Sequence, residues 1–228
     1  MAEMLIECQK LSLGYGMNCV LTEVDLKIPK GVLLPFVGPN GAGKTTLFNA
    51  LLGLHKPSGG SLVRNFGQWP PGYVPQQKTI DPRYPVSVRQ LVAMGFYPET
   101  GPFRQLGPEL LKRLENTLQH FGLLEHQQKT FAELSGGLKQ KTLIARAFVG
   151  RSEVIFLDEP TAGLDAASED DLLRLIRDLN RNQQKSILLA HHRLEDLSSL
   201  AEQVCLIWQH RAKLCPAAAV RTGTFYGN

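Results

Sequence analysis

The chain has 228 residues, 43% hydrophobic and 20% charged, which is enough to bury the core of one large α/β domain or two small ones. A net charge of +4 is too mild to mark a nucleic-acid partner, and Cys8, Cys19, Cys205 and Cys215 have neither zinc nor redox-pair spacing, as suits a reducing cytoplasm. The acidic N-terminal stretch does not read as a signal peptide, and no apolar run approaches the roughly 20 residues of a membrane span.

Residues 5–13 alternate loosely and predict a strand. Gly14-Tyr15-Gly16 predicts a turn whose aromatic either packs on the sheet or stacks on a purine ring. Residues 24–28 alternate strictly and predict a half-buried antiparallel strand stopped by Pro29. An apolar run over residues 32–37 predicts the next strand. Pro35 inside it lacks an N–H, so a bulge or local break is expected there.

Gly38-Pro39-Asn40-Gly41-Ala42-Gly43-Lys44-Thr45-Thr46 follows, and residues 46–52 carry a helical apolar stripe. The stretch fits G-x-x-x-x-G-K-[ST] in the strand–turn–helix setting that a phosphate-cradling loop needs. Glycines let successive N–H groups converge on an oxyanion, and the helix N-terminus adds partial positive charge. Lys44 would reach the β- and γ-phosphates, and the Thr45 hydroxyl would sit on Mg²⁺.

Residues 56–60 predict a turn, 61–63 a short strand, and 72–76 another strand ending at a proline. The composition then changes, with Pro82, Pro85, Pro98, Pro102 and Pro108 breaking residues 77–133 into short pieces. Two helices stand out, at residues 88–94 and 109–121. Leu110, Leu111, Leu114, Leu118 and Phe121 form one face of the second. This part reads as a mostly helical insert in the α/β domain. Leu134-Ser135-Gly136-Gly137 opens a helix to about residue 149.

The wholly apolar residues 154–157 predict a buried parallel strand ending in Asp158-Glu159. Asp165 can cap the next helix, lined by Leu172, Leu173, Ile176 and Leu179. Residues 187–190 predict one more buried strand, ending at His191-His192, and residues 204–208 the last clear one. The tail from Pro216 is weakly patterned.

Two carboxylates at the end of a buried strand lie where open α/β sheets bind ligands. Asp158 is suited to hold Mg²⁺, directly or through water, and Glu159 to act as general base on the attacking water. Ser135-Gly136-Gly137 at a helix start offers a second anion site. A chain with two such helix ends and one carboxylate pair can use both when two copies face each other.

In this combination the chain resembles the ATP-binding-cassette ATPases over nearly its whole length. Residues 38–46 match their Walker A motif, and Leu134-Ser135-Gly136-Gly137 their signature motif. Phe156-Leu157-Asp158-Glu159-Pro160-Thr161 matches Walker B with its glutamate, and Ala162-Gly163-Leu164-Asp165 the D-loop. Gln76 matches the Q-loop glutamine, which the family uses in catalysis and at the metal, and Tyr15 the adenine-stacking aromatic.

The resemblance implies one ABC ATPase domain over residues 1–228, with ATP and Mg²⁺ as cofactors. Its fold would be a P-loop α/β core with a mixed sheet, an N-terminal antiparallel β part and a helical subdomain. The core would take residues 1–76 and 150–228, and the helical subdomain residues 77–149. ATP would sit between Walker A of one copy and the signature of a second in a head-to-tail dimer. Permease subunits, and for import a substrate-binding protein, would complete a transporter at the cytoplasmic face of the membrane. No nucleic-acid partner is expected.

Three departures stand out. Leu138 replaces the family's usual Gln, and Lys141 its usual Arg. Ala190-His191-His192-Arg193 replaces a Thr-His-Asp pattern, which aligns His192 as the switch histidine with His191 as its rival. Within the family, Tyr73-Val74-Pro75-Gln76, residues 85–89 and Val92-Ala93-Met94-Gly95 resemble ATPases of zinc, manganese or iron uptake. Alternatives are a soluble ABC protein acting on ribosomes or DNA, and a non-hydrolysing regulatory module; the retained Glu159 opposes the latter.

Overall fold

A computed structural model describes residues 3–76, 85–101, 105–191 and 197–220. The chain divides into two compact units, Met1–Phe66 with Leu179–Asn228, and Gly67–Asp178.

In the first unit, β1 (Met4–Tyr15) pairs antiparallel with β2 (Asn18–Pro29) on one side and β4 (Gly59–Arg64) on the other. Val24, Leu26 and Ile28 of β2 are buried while Asp25 and Lys27 are exposed, the alternation of a sheet with one wet face. The strand nevertheless starts six positions earlier than that alternation. Glu23 has φ 45°, and the register shifts from Leu11↔Val24 to Leu13↔Leu21. This irregularity interrupts the period-two pattern and hides the first half of β2.

The second sheet segment of this unit runs in the order β7 (Ser186–His191), β3 (Leu33–Val37), β8 (Gln203–Trp208), β9 (Arg211–Pro216). The first three are parallel, and every residue of β3 and β7 is buried, which is why both read as continuous apolar runs. The break expected at Pro35 does not occur. Leu33 to Val37 pair with Ile187 to His191 in unshifted register, and β8 joins only at Phe36, past the proline. One missing donor therefore costs at most one ladder bond.

Nor is β8 the last strand. β9 returns antiparallel from Arg211, through a two-residue turn with φ 45° at Gln209 and 60° at His210. Such a turn usually advertises itself with Asn-Gly, and Gln-His does not. The helix α1 (Lys44–Leu52) leaves the end of β3 and packs back on it, Phe48 edge-on to Phe36 at 5.0 Å.

In the second unit, β5 (Gly72–Val74) lies parallel to the fully buried β6 (Val154–Asp158). The helices are α2 (Val88–Ala93), α3 (Tyr97–Thr100), α4 (Pro108–His120), α5 (Gly136–Phe148) and α6 (Ala166–Gln183), whose last turn belongs to the first unit. Ser87 and Gln90 form a reciprocal capping box at the start of α2.

Leu114, Leu118 and Phe121 are buried as their spacing predicts, whereas Leu111 is exposed. At about 100° per residue it sits about 60° round the helix from Leu114, at the rim of the apolar stripe. An ion-pair node joins three segments. Arg113 takes both oxygens of Glu99 at 2.9 and 3.0 Å, and Arg151 Nε approaches Glu99 at 3.2 Å. The Glu99 side chain is only 8% exposed. Among the described residues no helix is long and apolar enough to cross a membrane.

Candidate nucleotide site

The loop of residues 38–45 joins β3 to α1 in the first unit. Gly38 passes so close to β8 that a Cβ would collide with the Ile207 carbonyl oxygen. Gly43 has φ 102°, and a Cβ there would stand 2.7 Å from Val20 Cγ1. Both positions therefore require glycine. Gly43 is also the N-cap of α1, so no side chain caps the helix and no acid sits in its first turn. Its N-terminal N–H groups and partial positive charge face an anion without a competing carboxylate.

Lys44 is 6% exposed, and its ammonium donates to the carbonyls of Gly38 and Pro39 at 2.9 and 3.1 Å. The cation is thus held over the loop that it would share with phosphate. Thr45 is exposed, Thr46 is buried, and Asn40 and Gly41 lie on the exposed tip with Pro39 and Ala42 half-buried. Cradle, cation and helix end together fit a nucleotide phosphate chain.

At its far end α1 is held by a residue that sequence reasoning missed. Arg64 of β4 donates from Nε to Leu51 O at 2.8 Å and from Nη2 to Ala50 O at 2.6 Å. The helix has no basic residue of its own in its last turn, so Arg64 supplies the cation that the C-terminal carbonyls favour. A strand arginine beyond the helix and its following turn leaves no local sequence signal.

Tyr15, at the end of β1, is 55% exposed. His191 ends β7, is 2% exposed and pairs with Val37. His192, aligned as the switch histidine, lies outside the described residues, and so does Arg193.

The second unit brings two predicted residues together. Gln76, just beyond β5, donates from Nε2 to Glu159 Oε2 at 2.7 Å. Asp158 closes β6 and is 5% exposed. Burial first, and then the Asp158 charge, push the Tyr73 phenol above its ordinary pKa. Glu159 itself has φ 48°, a left-handed conformation uncommon outside glycine that turns the chain sharply off the strand.

Ser135 is the N-cap of α5, accepting from Leu138 N at 3.4 Å, and α5 has no acid in its first turn. Ser135 and Gly136 are exposed, and Gly137 is half-buried. A shallow cavity of about 150 Å³ is lined there by Ser135, Gly137, Leu138, Lys141, Ser168 and Asp171. Asp165 caps α6 as its sequence position predicts, accepting from Ser168 N at 2.9 Å and Ser168 Oγ at 2.8 Å. These bonds hold its carboxyl below the ordinary range.

The ABC transporter family matches residues 21–162. Over 210 residues the chain is 34% identical to the zinc transport system ATP-binding protein TroB of Treponema pallidum, covering 89% of this chain and 77% of that one. It is 33% identical to the manganese transport system ATP-binding protein MntB of Halalkalibacterium halodurans, covering 98% and 93%.

Among solved structures, an ABC transporter in an inward-facing conformation superposes with a TM-score of 0.86 and 27% identity, over 97% of this chain and 86% of that one. CbiO1 of Clostridium perfringens, part of the transporter complex cbiONQ, gives 0.82 and 25%, over 94% and 89%. With Walker A, Walker B and signature stretches in the order that the fold demands, the chain belongs to the ABC transporter family, as an ATP-binding and ATP-hydrolysing cassette.

Proposed function

We propose that the chain powers a metal-ion uptake system, as a head-to-tail pair of cassettes bound to permease subunits at the cytoplasmic membrane face. The hydrogen bond from Gln76 to Glu159 carries the hydrolytic part of this reading, because it joins the residue opening the helical insert to the carboxylate that follows β6. The similarity to TroB and MntB supports zinc or manganese as cargo. In this reading residues 77–149 form the helical subdomain within a single ABC domain, and a substrate-binding protein delivers the ion.

Walker A residues 38–46 bind the phosphates, with Lys44 neutralising the β- and γ-oxygens. Tyr15 stacks on the base. Glu159 accepts a proton from the attacking water as its oxygen bonds to the γ-phosphorus and the bond to ADP breaks. Ser135, Gly136 and Gly137 of the second copy cover the same phosphate, and Asp165 borders that interface. Mg²⁺, when bound, would supply positive charge at the phosphates. Thr45, Gln76 and Asp158 have the oxygen ligands it would take. His192, with His191 as rival, contacts the γ-phosphate.

The test is reconstitution with the membrane subunits in vesicles loaded with ATP, with the substrate-binding protein supplied outside. ATP-dependent zinc or manganese uptake that Glu159→Gln abolishes is the expected result. Uptake that survives Glu159→Gln, or a system that moves neither ion, would overturn the reading.

A further inference from the structure

Tyr15 is half-exposed at a strand end and flanked by Gly14 and Gly16, yet its ring already has a neighbour. The His55 imidazole lies against it, with ring centroids 4.6 Å apart and planes tilted by 45°. His55 Nε2 donates to the carbonyl of Gly14, the residue before Tyr15, at 3.0 Å. The backbone N–H of His55 in turn donates to Asn49 O of α1 at 3.1 Å. One residue therefore touches the strand that presents Tyr15 and belongs to the turn that closes α1. The first turn of that same helix forms the phosphate cradle.

We infer that His55 is a positioning residue for the nucleotide base, fixing the Tyr15 ring and tying it to the phosphate-binding helix. The inference rests on the reading of Tyr15 as the base-stacking aromatic. A ring on an exposed strand end flanked by glycines samples several orientations, and ordering it at binding costs affinity. The imidazole restricts that freedom beforehand, and the ring, 55% exposed, stays accessible to a base. The phosphates gain nothing from His55, so its contribution is confined to ligands that carry a base.

Calorimetric titration of the full chain with MgADP and with magnesium pyrophosphate separates these effects. His55→Ala is expected to weaken MgADP about three- to tenfold and to leave pyrophosphate within about twofold. His55→Phe, which keeps a ring but not the hydrogen bond, should fall between. It carries the comparison if the alanine variant does not fold.

Equal weakening of both ligands would make His55 merely structural, and unchanged MgADP affinity would make it idle; either overturns the inference. Tyr15→Ala distinguishes the two levels. Loss of MgADP affinity in Tyr15→Ala but not in His55→Ala leaves the stacking reading standing and removes this one. No loss in Tyr15→Ala removes both.

Discussion

The Gln76 side-chain amide donates to Glu159 across 2.7 Å, joining the end of β5 to the end of β6. A neutral donor on a carboxylate makes a charge-assisted bond that holds the acid in one orientation without neutralising it.

Glu159→Gln keeps the side chain's shape and removes only the proton acceptor. Hydrolysis is expected to fall about 10²- to 10⁴-fold while MgATP affinity stays near the parental value. Steady-state phosphate release and equilibrium nucleotide binding measure the two separately. Lys44→Ala should do the opposite first, weakening nucleotide binding itself, because the phosphate loses the cation now held on Gly38 and Pro39. Parental turnover in the glutamine variant would remove Glu159 from the role of base.

Arg64 holds the C-terminal carbonyls of α1 through two short hydrogen bonds. Arg64→Leu should cost about 1–2 kcal/mol, a fall in Tm of roughly 2–8 °C for a chain of this size. Arg64→Lys should recover only part of it, since a single ammonium cannot reproduce the guanidinium fork. Thermal unfolding followed by circular dichroism decides this. An unchanged Tm in both variants would mean that the bonds add nothing net.

Asp165 gives a pH dependence with a definite sign. Its folded-state pKa is depressed, by the Ser168 backbone N–H first and the Ser168 hydroxyl second. The cap's stabilisation is therefore fully present above the ordinary carboxylate pKa of about 4 and is lost as pH falls through the lower folded-state value. Asp165→Asn keeps a capping oxygen and loses the titration. Tm measured from pH 6 down to pH 2 should fall more steeply in the parent than in the variant. Parallel curves would detach Asp165 from acid stability.

What the sequence made legible follows from how locally each feature is determined. The strands β3, β6 and β7 announce themselves because both faces are buried. The loop of residues 38–46 does so because its spacing serves one purpose. β9 escaped because its hairpin turn uses Gln209 and His210 at positive φ without glycine, and half of β2 escaped behind the irregularity at Glu23. Pro35 misled in the other direction, since β8 joins β3 only past the proline and the β7 register runs through it unshifted, so one donor at most is lost. Arg64 on the Leu51 carbonyl, His55 on Tyr15, and Glu99 between Arg113 and Arg151 are contacts between residues far apart in sequence, and no local pattern encodes them.

A membrane partner needs a face on the helical part, and the exposed apolar residues there are specific. Within residues 86–94, Val88, Leu91 and Val92 are buried, which leaves Gln90 and Met94 on the exposed face. Met94, 44% exposed, and Tyr97, 60% exposed, are neighbouring apolar side chains that stay outside. They border a cavity of about 290 Å³ within the second unit, together with Trp69, Tyr73 and Arg146, whose pKa burial lowers. Glu99 stiffens the cavity wall through Arg113 and Arg151. A short amphipathic helix of a permease subunit would fill such a hollow with apolar side chains. Met94→Glu combined with Tyr97→Glu places two charges on that face without touching the carboxylates or the phosphate loop. In the reconstituted transporter, ion uptake should fall at least about tenfold while ATPase activity of the isolated chain stays within about twofold. Full uptake by the double variant would put the docking surface elsewhere on the chain.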